Sequence, residues 1–132
     1  MSISNFQETL LMYAREKSRL NLKFSDIQFN LSAATRKAML EQQRFNDKMT
    51  QYSYMYTDND LVADEYEDLI DELEIEYEFN LKNLDSWEEQ LQLDKDNLEL
   101  KLSEITANEA SFRGLLKTDI KNDFSYGGAQ QG

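Results

Sequence analysis

A spacing of seven runs through both halves of the chain and mirrors itself about one short acidic segment. Ile70, Tyr77, Leu84, Leu91, Leu98, Ile105 and Phe112 recur at every seventh residue, and Phe6, Tyr13, Leu20, Ile27 and Ala34 do the same before Asp58, Asn59 and Asp60. Folding the chain at about residue 59 sets 6 against 112, 13 against 105, 20 against 98, 27 against 91 and 34 against 84. Apolar residues in alternating steps of three and four keep one stripe facing a partner in a supercoiled pair of helices. The pattern therefore predicts an all-α fold, a long antiparallel helical hairpin or two-stranded coiled coil.

Nothing in the composition interrupts such helices. Proline is absent, and the four glycines are Gly114, Gly127, Gly128 and Gly132. Proline costs about 3 kcal/mol inside a helix and glycine about 1 kcal/mol, so residues 1–113 carry no strong breaker. The expected organisation is one helical domain over 1–124, with a helix at 4–56, a turn at 57–60 and a helix at 61–122. Residues 125–132 read as a disordered, flexible tail. Ser4 with Gln7, or Asn5 with Glu8, forms a capping box that starts the first helix.

Within the first helix the stripe is Phe6, Leu10, Tyr13, Lys17, Leu20, Phe24, Ile27, Leu31, Ala34 and Ala38, broken only by Lys17. Beyond Ala38 it continues through Phe45, Met49, Tyr52 and Tyr56 after one added step of four, a stutter that locally unwinds the supercoil. Residues 51–56 alternate aromatic and polar positions, so a short strand competes with helix there. The second seam is Ile70, Leu73, Tyr77, Asn80, Leu84, Trp87, Leu91, Asp94, Leu98, Lys101 and Ile105. Strict pairing about residue 59 opposes Phe45 to Leu73, Leu31 to Trp87 and Tyr52 to Tyr66, and it sets Lys17 against Lys101. A compact four-helix bundle is the alternative, with caps at Asn30 and Ser32 and a break around Asn80–Asn83.

Charge is distributed unevenly. Residues 1–57 hold eight Lys or Arg and five acids, a net of +3, while residues 58–132 hold six and twenty-one, a net of -15. Opposite signs favour laying one half along the other. The formal net charge of -12 argues against nucleic acid and against anionic membrane surfaces, which need a basic face. With no run of about 18 apolar residues and no charged-then-apolar leader at Met1-Ser2-Ile3-Ser4, the chain reads as soluble, without a membrane span or cleaved signal. The expected location is cytoplasmic, or outside the cell by a route that reads no cleaved signal.

Chemistry has little to work with. Neither His nor Cys is present, which removes the commonest bases, nucleophiles and soft metal ligands. Asp58, Asp60 and Asp64 resemble the start of a calcium loop, but Ala63 stands where the loop needs glycine and Leu69 where it needs glutamate. Paired carboxylates need a concave pocket to hydrolyse a glycoside, and a two-helix seam does not form one. The reading is a protein without enzymatic activity and without cofactors or metals.

Three surfaces are candidates for binding another protein. Leu22, Phe29, Leu93, Leu100 and Leu102 exceed what one seam can bury and suggest a further helix, from a second copy or another protein. Tyr52, Tyr54 and Tyr56 lie at the expected tip, where tyrosine either stiffens the reversal or offers contact area at low entropic cost. Asp64, Asp68, Asp71 and Glu72 belong to a run of eleven acids in residues 58–78 that contains no Lys or Arg. That run is either solvated and balanced by Arg36, Lys37, Arg44 and Lys48, or a docking face for a basic partner.

The segments Leu84-Asp85-Ser86-Trp87 through Leu98-Glu99-Leu100-Lys101-Leu102, and Ser111-Phe112-Arg113 to Phe124, follow a short polar start, Met1-Ser2-Ile3-Ser4-Asn5. In architecture this resembles the helical hairpin subunits of type III and flagellar-type secretion systems. The proline turn of needle proteins and the Trp-x-Gly turn of small secreted hairpins are missing. The resemblance implies a structural or assembly role as a homo-oligomer or a partner of helical proteins. A small chaperone or adaptor holding clients at the tyrosine tip, in the manner of prefoldin-like chaperones, is the other functional class.

Overall fold

The computed structural model describes the backbone of residues 3–130 and the side chains of residues 4–122. It contains two helices, α1 at Ile3–Thr57 and α2 at Ala63–Gln130, joined by a short turn, with no strand among the described residues. Both run unbroken through residues 30–32 and 80–83, so the chain is an all-α helical hairpin and the four-helix alternative is not formed. Residues 51–56 are helical as well. The backbone of α2 extends past the expected limit at residue 122 to Gln130, and residues 131–132 lie outside the described residues.

The turn has a defined chemical cause. Asn59 adopts a φ of 62°, a left-handed conformation that asparagine tolerates better than most residues. This lets the Asp60 amide donate to the Met55 carbonyl at 2.9 Å and the Asn59 amide donate to the Tyr56 carbonyl at 3.2 Å. These two bonds are the pair that closes a Schellman cap, and they satisfy carbonyls that the last turn of α1 leaves open. The next helix opens when the Tyr66 amide donates to the Val62 carbonyl at 3.0 Å. Asp64 and Glu65 then occupy the first turn of α2, where negative charge suits the amide-rich end. The turn expected at 57–60 thus closes α1, and Val62 stands at the start of α2.

Contacts divide the chain into two units. The first joins Met1–Asp26 with Lys95–Gly132. There Phe6, Leu20 and Leu98 are buried, and the Phe6 and Phe112 rings meet at 5.0 Å, the pairing that the mirror spacing expects. Tyr13 packs edge-on to the same Phe112 at 6.1 Å.

The second unit is Ile27–Asp94. Its buried residues are Ala34, Leu73 and Leu91, and two stacked aromatic pairs, Phe45 on Tyr77 and Tyr56 on Tyr66, tie α1 to α2 at 4.3 and 4.7 Å. These pairs replace the expected Phe45 with Leu73 and Tyr52 with Tyr66. Leu61 and Val62 belong to the reversal, and near it the facing residues are shifted by about one turn from the expected pairs.

Two seam assignments change. In α1 the half-buried residues after Ala38 are Glu41, Arg44, Phe45, Lys48, Met49, Tyr52 and Met55, so Phe45, Met49 and Tyr52 of the expected stripe lie in the seam while Met55 takes the place of the more exposed Tyr56. In α2, Asp94 and Lys101 are exposed, and Lys95 and Leu102 are the half-buried residues instead. Lys95 holds its ammonium 5.7 Å from the Phe24 ring, which lets a cation occupy an apolar seam.

Candidate interaction surface

The polar groups along the two seams serve the packing. In the second unit, Arg44 Nη2 donates to Glu41 Oε1 at 2.8 Å and to Glu76 Oε1 at 2.9 Å, while Asn80 Nδ2 donates to Glu41 Oε1 at 2.8 Å. The Arg44 hydrogen bond, helped by Asn80, holds the Glu41 carboxyl below the usual carboxylate range. The Glu41 partnership in turn raises Arg44 above its ordinary value. Lys37 places its ammonium 5.2 Å from the half-buried Trp87 ring. A shallow groove between Leu40, Asn83 and Leu84 lies over this polar rung and is open to solvent.

In the first unit, Lys17 pairs with an acid rather than with Lys101. Its ammonium donates to Glu109 Oε1 at 3.1 Å, and Arg113 Nε lies 3.5 Å from the same oxygen. Two cations converging on one carboxylate make a polar rung of the same kind. Glu16 is held below the usual range mainly by its hydrogen bond from Arg19 on the neighbouring turn.

The expected binding residues fall into three groups. Leu22, Phe29, Leu93 and Leu100 are exposed at 58 to 68 %, each aimed away from the seam of its unit, while Leu102 is half-buried within it. The tip tyrosines are divided: Tyr52 is half-buried, Tyr56 stacks on Tyr66 while staying 43 % exposed, and Tyr54 is 67 % exposed. Asp64, Asp68, Asp71 and Glu72 all face solvent. Of the cations expected to balance them, Arg44 reaches Glu76, Lys37 is turned to Trp87, and Arg36 and Lys48 have no ion pair with the acidic run among the described residues.

Further exposed apolar side chains escape a reading based on the seam alone. Met39 and Leu40 of α1, and Ile75 and Phe79 of α2, are 57 to 67 % exposed. Ile75 and Phe79 could have been found, because a pair spaced four apart and out of phase with Leu73 and Tyr77 must face outward.

Among the described residues, no group of three or more acids is placed to hold a metal ion, and no helix is long and apolar enough to cross a membrane. No family model matches the chain, and neither the curated proteins nor the solved structures include a match. The fold class is an all-α helical hairpin with apolar side chains exposed on its helices.

Proposed function

We propose that this chain is an assembly protein without enzymatic activity, which works by presenting helix faces and associates with further copies of itself. The supporting observation is the outward placement of Leu22, Phe29, Leu93 and Leu100 on helices that already have a seam of their own. Large apolar side chains in that position gain by burial, at about 25 cal/mol per Å² of apolar surface removed from water. The absence of His and Cys from the chain fits a role that needs no nucleophile or base. Membership of a secretion or filament apparatus follows from the architectural resemblance, with synthesis in the cytoplasm and export without a cleaved signal as its corollary. The chaperone reading rests on Tyr54, since Tyr52 and Tyr56 are engaged in packing.

Sedimentation velocity over a hundredfold range of concentration tests the proposal. Oligomers are expected to grow with concentration, and Phe29→Asp or Leu100→Asp should return the chain to monomer with its helical circular dichroism intact. A monomer at every concentration overturns self-association.

A further inference from the structure

The second unit carries an apolar ridge set in negative charge. Ile75 is 67 % and Phe79 is 63 % exposed, and residues four apart on a helix are neighbours on one face. Asp68, Asp71, Glu72 and Glu78 lie three, four or seven positions from one or both of them, and all four carboxylates are exposed. None has an ion-pair partner among the described residues. Arg44 is divided between Glu41 and Glu76, and Lys82 beyond Phe79 is the nearest base in sequence.

We infer that this ridge is a docking face for a cationic amphipathic helix supplied by a different protein. Such a helix would lay apolar residues over Ile75 and Phe79 while its Lys or Arg residues meet the four carboxylates. Charge selects this occupant. Like charges at spacings of three and four destabilise α2 in the free protein, and a cationic partner relieves that repulsion as it binds. A second copy brings a further net charge of -12, and the outer face of its α1 in the same unit carries Asp47 as well as Arg36. Nucleic acid and anionic lipid carry the wrong sign. Ile75 and Phe79 are not among the residues assigned to self-association, so the ridge stands or falls independently of it.

The test uses the full chain and a fluorescently labelled eighteen-residue helical peptide of Leu and Lys, with apolar residues on one face, followed by anisotropy. A second peptide with Glu in place of Lys is the charge control. The Lys peptide is expected to bind, more weakly as salt is raised, and the Glu peptide is not. Ile75→Ser with Phe79→Ser should weaken binding by roughly tenfold or more, the loss expected of central apolar anchors. Asp68→Asn, Asp71→Asn, Glu72→Gln and Glu78→Gln together should abolish it, with thermal unfolding confirming that both variants stay folded. Leu100→Asp should bind the peptide unchanged, which separates this face from the self-association surface. Equal binding by the Ile75 and Phe79 variant would reduce the effect to general electrostatics and overturn the inference. Failure of the Lys peptide to bind, or loss of self-association in that same variant, also overturns it.

Discussion

Asn80 Nδ2 donates to Glu41 Oε1 at 2.8 Å, which places an amide from α2 and a carboxylate from α1 at the same level of the second unit's seam. Arg44 grips the same carboxylate from one turn away on α1. A polar layer of this kind costs stability relative to apolar packing but penalises other registers, because a shifted helix would leave Glu41 or Asn80 among apolar neighbours. Replacing Asn80 alone with Leu removes one donor and should destabilise the fold by about 1–3 kcal/mol. Replacing both Glu41 and Asn80 with Leu should recover most of that loss in chemical denaturation. The register should then be looser, visible as more than one disulfide pairing when single cysteines are introduced on the two helices.

The same carboxylate gives a pH signature. The Arg44 hydrogen bond and the Asn80 amide lower its affinity for protons in the folded chain, so the unfolded chain is the better proton acceptor. The stabilisation is therefore complete above the ordinary glutamate range and is lost as pH falls through the lower, folded value. The melting-temperature difference between wild type and Glu41→Gln isolates it. That difference should favour wild type at neutral pH and close as pH falls below the ordinary glutamate range. A constant difference across the titration would contradict the assignment.

Val62 is a weak residue for the start of α2. Its carbonyl accepts the Tyr66 amide, but its side chain cannot accept the further amides that the first turn leaves open. Serine at this position, three residues before Glu65, completes a capping box. Val62→Ser should therefore stabilise the chain by about 0.5–2 kcal/mol, since the 62 % exposed valine side chain gives up little burial. A denaturant midpoint that falls instead would show that Val62 contributes packing that its exposure does not suggest.

The left-handed Asn59 makes the opposite kind of site. Glycine adopts this conformation without steric cost, whereas a β-branched residue pays for it. Asn59→Gly should be neutral or slightly stabilising, and Asn59→Val should cost about 1–2 kcal/mol by thermal unfolding. Equal stability of the two variants would mean that the turn can re-form without the two cap bonds.

The hairpin was legible because heptad spacing and mirror symmetry are both properties of a list of residues. Phe6 against Phe112 followed from them directly. The polar rungs were not legible from the same rule, since a count of apolar residues passes over Glu41 and sets Lys17 against Lys101. Lys17 finds Glu109 instead, Lys101 faces solvent, and Lys95 and Leu102 take the seam. A long flexible base can lie along an apolar seam with its charge elsewhere, so its identity does not say which side of a helix it occupies. Register near the turn was missed for another reason. It depends on whether Leu61 and Val62 belong to a helix or to the reversal, and the left-handed Asn59 decides that through backbone geometry.

The core of a two-helix pair is narrow, and its individual residues carry more of the stability than in a globular domain. Leu20 is 1 % exposed and Leu22, two positions along the same helix, is 67 % exposed. Both are leucines on α1, so their difference isolates burial from helix propensity. Leu20→Ala should cost about 2–5 kcal/mol through lost transfer free energy and the space left behind. Leu22→Ala should lie within about 0.5 kcal/mol of wild type in the monomer, because alanine is the better helix former and little contact is removed. At concentrations where copies associate, the order should narrow. Leu22→Ala then gives up intermolecular burial that Leu20→Ala leaves untouched, and its melting temperature should become the more dependent on concentration of the two. A Leu22→Ala melting temperature that tracks wild type at every concentration would remove Leu22 from the association surface while leaving Leu20 as the seam anchor of the first unit.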